Sequence, residues 1–227
     1  MPPIVAIDGP AGAGKSTVAR ELARRLGFTI VDTGAIYRAV ALAAQRAGIG
    51  WEDDPGLARL LDAGLGISFV PGEGQRVLLR GDDVTEAIRT PGITRGASIV
   101  SARPVVRQKL LGLQRQLGRE APRGAVLEGR DIGTVVFPEA DVKFFLTAND
   151  EARAARRHAE FLDKGLPVPL GEVLADQRRR DKDDSERAIA PLKPAPDAVV
   201  VDTTGMDLGE VVERCDRLAR ERLSAQP

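Results

Sequence analysis

Short, wholly apolar runs alternate along the chain with longer stretches in which apolar residues return every three or four positions. Ile4-Val5-Ala6-Ile7 is the first run, and Val18, Leu22 and Leu26 follow it at helical spacing, with Gly27 closing the helix. A run without polar alternation is the pattern of a parallel strand covered on both faces. The unit recurs. Phe28-Thr29-Ile30-Val31 leads into a predicted helix from about Gly34 to Ala47, on which Ile36, Val40 and Ala47 share a face. Ala125-Val126-Leu127, Val142-Lys143-Phe144-Phe145-Leu146 and Ala198-Val199-Val200-Val201 are three further strands, each leading into a helical pattern. Five such strands predict an α/β fold, a doubly wound parallel sheet with helices on both faces, in which ligands sit beyond the carboxyl ends of the strands.

One region breaks the alternation. Ile67-Ser68-Phe69-Val70 and Arg76-Val77-Leu78-Leu79 are β-rich and are separated by Pro71-Gly72-Glu73-Gly74, which predicts a hairpin and hence a small inserted β subdomain. A second departure is a helix pair from about Asp150 to Asp183, joined by Lys164-Gly165-Leu166-Pro167-Val168-Pro169. Its charge lies on several faces, including Arg153, Arg156, Arg157 and Arg178-Arg179-Arg180, so deep burial is not expected. The expected organisation is one domain: a core of 1–60, 97–149 and 188–227, a hairpin-bearing insertion over 61–96, and a helical lid over 150–187.

Length and composition agree with this picture. The 227 residues are 43% hydrophobic, ordinary for a globular chain with a real core. No apolar stretch approaches the ~20 residues needed to cross a bilayer, and no signal-like segment precedes the first strand, so a cytoplasmic protein is expected. Cys215, the single cysteine, falls on the apolar face of a helical pattern with Leu208, Val211, Val212 and Leu218 and is expected in the core. His158, the single histidine, has no partner of its kind for a metal site or a triad. Lys and Arg together number 33, as do Asp and Glu, so no overall field draws in a nucleic acid. Arginine nevertheless supplies 27 of the 33 cations, and a guanidinium grips phosphate through a planar fork.

The chemistry is concentrated after the strands. Gly9-Pro10-Ala11-Gly12-Ala13-Gly14-Lys15-Ser16, followed by Thr17, is the phosphate-loop pattern G-x-x-x-x-G-K-[ST], in the strand-then-helix context it requires. Its backbone N–H groups converge on a phosphate, Lys15 reaches the β- and γ-phosphates of a nucleoside triphosphate, and Ser16 places a hydroxyl on Mg²⁺. The fold expected is therefore of the P-loop NTPase type. After the second strand comes Asp32-Thr33-Gly34-Ala35-Ile36-Tyr37-Arg38, and after the third Glu128-Gly129-Arg130-Asp131-Ile132-Gly133-Thr134, a charged cluster between glycines that suits a ligand better than a core. Arg178-Arg179-Arg180-Asp181-Lys182-Asp183-Asp184-Ser185-Glu186-Arg187 mixes signs, as a nucleotide with phosphate and ribose hydroxyls would want. A GTPase switch, a regulatory P-loop NTPase, lacks its guanine-reading Asn/Thr-Lys-x-Asp here. A nucleic-acid ATPase is opposed by the zero net charge.

Ile7-Asp8-Gly9-Pro10 entering the phosphate loop, Asp32 to Arg38, Glu128-Gly129-Arg130-Asp131-Ile132-Gly133-Thr134-Val135-Val136-Phe137-Pro138 and Arg187-Ala188-Ile189-Ala190-Pro191-Leu192 together resemble the bacterial cytidylate kinase family over nearly the whole chain. The resemblance implies transfer of the γ-phosphoryl group of ATP to CMP or dCMP with Mg²⁺, by a protein expected to be monomeric and to bind neither nucleic acid nor membrane. It implies that Ser98, Arg107 and Asp131 read the cytosine edge, that Thr33, Tyr37, Arg38, Arg130 and Arg187 surround the acceptor phosphate, and that Arg180 and Asp184 bind the sugar. Lys15, Arg130, Arg157 and Arg187 become the catalytic cations, with Arg153 and Arg156 as further lid arginines. Thr33 stands where many relatives have serine, which keeps the hydroxyl. A UMP/CMP kinase or another small-molecule P-loop kinase is the alternative within the class.

Overall fold

A computed structural model describes residues 2–70, 75–163 and 165–225. The expected hairpin turn at 71–74 and Lys164 of the expected helix link lie outside the described residues. The chain divides into two compact units, Met1–Val31 with Leu117–Pro227, and Asp32–Gln116.

In the first unit the apolar runs form a five-stranded parallel sheet: β1 (Ile4–Asp8) at the centre, β2 (Thr29–Asp32), β6 (Ala125–Gly129), β7 (Val142–Thr147) and β8 (Val199–Asp202), in the order β2-β6-β1-β7-β8. Pairing of β1 runs in register from Ile4 with Ala125 to Asp8 with Gly129 on one side, and from Val5 with Val142 on the other. All five residues of β1 are buried, as two-sided cover demands. On one face Val5, Ile7, Val126, Phe144 and Val201 pack with Val18 and Leu22 of α1 (Lys15–Leu26) and with Val211, Val212 and Cys215 of α8 (Leu208–Ser224). Cys215 is fully buried, and burial pushes its thiol up to about 12, so it is an inert core residue as its helical position predicted. On the other face Gly118 lies so close to Phe137 and Leu127 that a Cβ would come within 2.7 Å of the Phe137 ring. The expected helix pair is α6 (Asp150–Asp163) and α7 (Leu170–Glu186).

Two expectations are corrected. The third apolar run was expected to end at Leu127, but β6 continues to Gly129 and takes Glu128 into the sheet, where it is buried. The helix pair was expected to avoid deep burial, yet Arg153 is only 4% exposed because its guanidinium meets carbonyls and carboxylates rather than water.

The second unit holds α2 (Thr33–Arg46), α3 (Asp54–Asp62), α4 (Pro91–Ala102) and most of α5 (Pro104–Arg119), with an antiparallel sheet of β3 (Ile67–Val70), β4 (Arg76–Leu79) and the two-residue β5 (Asp82–Asp83). The two predicted β-rich runs pair as expected, and β5 adds a third strand. Asp32 caps α2 by accepting from the Ala35 N–H at 2.8 Å, and Thr90 caps α4.

Candidate active site

Everything the phosphate loop needs follows from how β1 ends. The chain leaves the sheet at Asp8 and turns through Gly9, where φ is +148° and a Cβ would lie 2.0 Å from the Leu146 carbonyl oxygen. Only glycine fits there. Gly12 (φ +75°) is constrained by its left-handed backbone, and a Cβ there would stand a tight 3.0 Å from the Arg153 carbonyl oxygen. The loop then enters α1 at Gly14 in a left-handed conformation with no side-chain cap. By contrast α8 opens with a reciprocal capping box between Asp207 and Glu210. The first-turn N–H groups of α1 are thus left for an anion. Ser16 and Thr17 are exposed at this helix start.

Lys15 is buried and donates to the Pro10 carbonyl at 2.7 Å. Burial and the neighbouring Arg130 charge push its ammonium down to about 7, against the opposing pull of Glu128, Asp184 and Asp8. Arg130 donates through Nε to Asp184 at 2.7 Å and contacts the Gly129 carbonyl. Arg187 reaches Asp131 at 3.5 Å, Asp184 at 3.7 Å and the Ala190 carbonyl at 2.5 Å. Arg180 donates no hydrogen bond to a described residue; burial and the charge of Arg130 lower its pKa. Burial acts to raise the Asp184 carboxyl, but the charges of Arg130, Arg187 and Arg180 and the Arg130 hydrogen bond hold it below the ordinary range. Three arginines and a lysine therefore converge on one central carboxylate, with Asp131 beside Arg187. Guanidinium forks and an ammonium gathered in this way are the donors that grip phosphate.

The loop after β6 is wound as a π-type turn, Ile132–Val136, with the Phe137 N–H donating to the Ile132 carbonyl at 2.7 Å. A wider turn of this kind is rare and recurs at functional sites. Its start is held by Asp8, whose carboxylate accepts from the N–H groups of Ile132 at 2.8 Å and Gly133 at 2.7 Å. Burial pushes the Asp8 carboxyl up to about 6 even against those two hydrogen bonds.

The helix-pair arginines separate. Arg153 donates to the Ala11 carbonyl of the phosphate loop at 2.9 Å, to the Ala148 carbonyl, and to Asp150 and Asp181 at 2.6 Å each. Arg156 is turned to Thr203, bonding both its hydroxyl and its carbonyl. Arg157 pairs with Glu160 at 2.6 Å and lies over the Phe161 ring at 4.5 Å.

The remaining predicted residues lie in the second unit and form a group of their own. Thr33 is buried at the start of α2. Arg38, one turn on, spends one nitrogen on Asp32 at 2.7 Å, while its Nε is buried without a partner. The Tyr37 hydroxyl accepts from Gln114 at 3.2 Å, and the Arg107 guanidinium sits 5.7 Å from the Tyr37 ring centre. Arg107 in turn donates to the Ser101 carbonyl at 3.1 Å, and the Ser101 hydroxyl donates to the Ser98 carbonyl. Tyr37, Arg107 and Ser98 thus belong to one network, while Thr33 and Arg38 share the turn after β2.

Sequence reasoning gave Asp8 no role beyond its place in the Ile7–Pro10 motif and did not single out Gln177. Asp8 carried a signal, a lone carboxylate ending an apolar strand. Gln177 carried none; it is buried on α7, donates to the Asp150 carbonyl at 3.3 Å, and its Oε1 comes within 3.1 Å of where a Gly12 Cβ would stand.

Comparison with known proteins decides the class. The cytidylate kinase family model matches residues 5–221. The chain belongs to the cytidylate kinase family. It is accordingly an enzyme that phosphorylates CMP with ATP as donor. Among curated proteins it is 55% identical over 225 residues to the cytidylate kinase of Geobacter sulfurreducens, covering 99% of this chain and 95% of that protein. It is 53% identical to the cytidylate kinase of Syntrophotalea carbinolica, over 96% of this chain and 92% of the relative. A crystal structure of an uncharacterized protein from Eubacterium ventriosum superposes with a TM-score of 0.52 at 12% identity, covering 96% and 98% of the two chains, and supports the fold alone. Among the described residues no helix is long and apolar enough to cross a membrane.

Proposed function

We propose that the cytidylate kinase reaction runs here on CMP and dCMP alike, with Lys15, Arg130, Arg157 and Arg187 as the cations around the transferring phosphoryl group and residues 9–17 holding ATP. The observation that carries the assignment is the gathering of Lys15, Arg130, Arg180 and Arg187 around Asp184, next to the phosphate loop that Lys15 belongs to. Phosphoryl transfer between two anions needs no covalent intermediate. It needs cations at the equatorial oxygens, alignment and exclusion of water.

Arg130 and Arg187, with Thr33, Tyr37 and Arg38, take the acceptor phosphate; the unpartnered Nε of Arg38 supports that role, since a buried N–H without an acceptor is costly until an anion supplies one. Arg180 and Asp184 bind the sugar. Ser98, Arg107 and Asp131 read the base: arginine donors match O2 and N3 of cytosine, and an ionised carboxylate accepts from its exocyclic amine. Uracil presents a carbonyl at that position, which Asp131 repels. Residues 61–96 form the substrate-side insertion and 150–187 the lid.

Among the described residues no group of three His, Cys, Asp or Glu side chains could hold a metal. This fits Mg²⁺, which keeps most of its waters and takes few protein ligands beside nucleotide phosphates. The exposed Ser16 hydroxyl would be the protein ligand for it. A Mg²⁺ ion held there would supply neutralisation of the charge that develops on the nucleotide phosphates. We place the enzyme in the cytoplasm as a monomer.

An ADP-release assay over CMP, dCMP, UMP, AMP and GMP tests the reading. CMP and dCMP are expected to be consumed much faster than the others, and equal rates on AMP would overturn the cytosine assignment. Asp131→Ala is expected to shrink the CMP-over-UMP preference by about 1 to 3 kcal/mol, the size of a base-edge contact. An unchanged preference would move base reading elsewhere.

A further inference from the structure

Arg130 and Asp131 are two consecutive residues, and the segment they occupy is fixed at both ends by a single neighbour. On the near side, Gly129 is the strand partner of Asp8 in the β1–β6 register. On the far side, the backbone N–H groups of Ile132 and Gly133 donate to the two oxygens of the Asp8 carboxylate, one to each, at 2.8 and 2.7 Å. Asp8 is 4% exposed, so water cannot replace either bond readily. The next residue along the chain from Asp8 is Gly9, where the phosphate loop begins.

The π-type turn makes this tether necessary. Its wide winding leaves the N–H groups at its start without partners inside the turn, while the Asp131 carbonyl already accepts from Val135 at 2.9 Å and Val136 at 3.2 Å. Room is also tight. A Cβ at Gly133 would lie 3.1 Å from the Lys143 side chain and 3.4 Å from the Asp8 carboxylate. The carboxylate therefore closes against a bare backbone, which is what a short, directional strut requires.

We propose that Asp8 is a positioning residue for acceptor recognition: holding Gly129 by strand pairing and Ile132 and Gly133 by its carboxylate, it fixes Arg130 and Asp131 relative to the phosphate loop. The inference rests on the reading that Arg130 and Asp131 hold the CMP phosphate and base. Asp8 itself touches neither nucleotide. It converts one strand end into a common reference for the donor loop that follows it and the acceptor loop beside it. A misplacement of about 1 Å in such a constellation is enough to cost on the order of 100-fold in rate.

Asp8→Asn keeps the shape but offers one acceptor oxygen and turns an NH₂ group towards the second N–H. Amide hydrogen exchange on the variant is expected to show Ile132 and Gly133 losing about tenfold or more of their protection while α1 and β7 keep theirs. In kinetics the KM for CMP is expected to rise about tenfold, well beyond any change in the KM for ATP, and the CMP-over-UMP preference to narrow. A merely structural role would lower the melting temperature without that split. An unchanged CMP KM and base preference would overturn the proposal even if protection were lost. Should the variant not fold, exchange in the wild-type enzyme decides: slow Ile132 and Gly133 amides support the tether, and amides as fast as those of exposed Ser16 and Thr17 overturn it. A wild-type enzyme that fails to consume CMP would instead sink the functional reading, and does so before any variant is made.

Discussion

Lys15 carries a desolvation cost that its protein neighbours offset only in part and that a bound anion would relieve further. Its ammonium is buried and pushed down to about 7, first by burial and then by the Arg130 charge, so near pH 8 much of it is neutral in the free enzyme. The polyphosphate of ATP favours the charged form. Binding should therefore take up protons at pH 8, measurable by calorimetry in two buffers of different ionisation enthalpy, and Lys15→Met should abolish that uptake. The sign for folding is equally definite. Because the folded pKa lies below the unfolded one, the unfolded chain binds the proton more tightly between about 7 and 10.5, so this group makes the apo protein more stable as pH rises through that window. Urea midpoints of wild type and Lys15→Met at pH 7 and pH 10 should converge at the higher pH as far as this group is concerned. A wild-type chain that takes up no proton on binding ATP would show that Lys15 is charged before the nucleotide arrives.

Among elements, α4 shows how one small residue sets a packing. Gly96 lies against Trp51, so that a Cβ would stand 2.5 Å from the indole ring, and the ring is tied to the Ala41 carbonyl at 3.0 Å. Gly96→Ala gains up to about 1 kcal/mol in helix propensity, but overpacking costs about 1 to 3 kcal/mol. With the indole tethered, the cost should win. A loss of unfolding free energy on the order of 1 kcal/mol is expected from urea melts, with a raised KM for CMP because Ser98 rides on the same helix. A variant as stable as wild type would mean that Trp51 moves aside freely. The elements differ in how far the chain alone revealed them. The strands of the parallel sheet were readable because two-sided cover leaves unbroken apolar runs, and the phosphate loop because its glycines answer local backbone demands. Glu128 hid the end of β6, since a buried carboxylate looks like a loop residue until its cations are known. The π-type turn has no side-chain period of its own. Its existence depends on Asp8, 124 residues away along the chain. Arg153 was legible as a charged helix residue but not as a buried one, because its acceptors come from Ala11, Ala148, Asp150 and Asp181, segments that only folding assembles. The arginines grouped by family resemblance were found in two sets, one in each unit, and no periodicity distinguishes them.

For the molecule as a whole, equal numbers of cations and anions and a pI near 6.6 remove long-range repulsion as a guard against self-association. The sheet edges then bear most directly on whether chains associate. A parallel sheet that is not closed has two edges, here β2 and β8, and an open edge invites pairing with another chain. Both edge strands are only four residues long and both end in aspartate, Asp32 and Asp202. Val200 on β8 is 51% exposed, but a strand of four residues ending in an exposed aspartate offers only a short ladder to a second copy. The other exposed large apolar residues include Leu162, Leu166 and Leu170 around the α6–α7 link, and Ile189 and Leu208 elsewhere along the chain. Sedimentation at pH 8 is accordingly expected to give a single species of 24.2 kDa from low to high micromolar protein. A stable dimer would contradict this. If it formed through β8, Val200→Lys should dissociate it, because a lysine on an exposed edge strand opposes pairing; if the lysine variant stayed dimeric, the apolar residues at the α6–α7 link would be the next surface to charge.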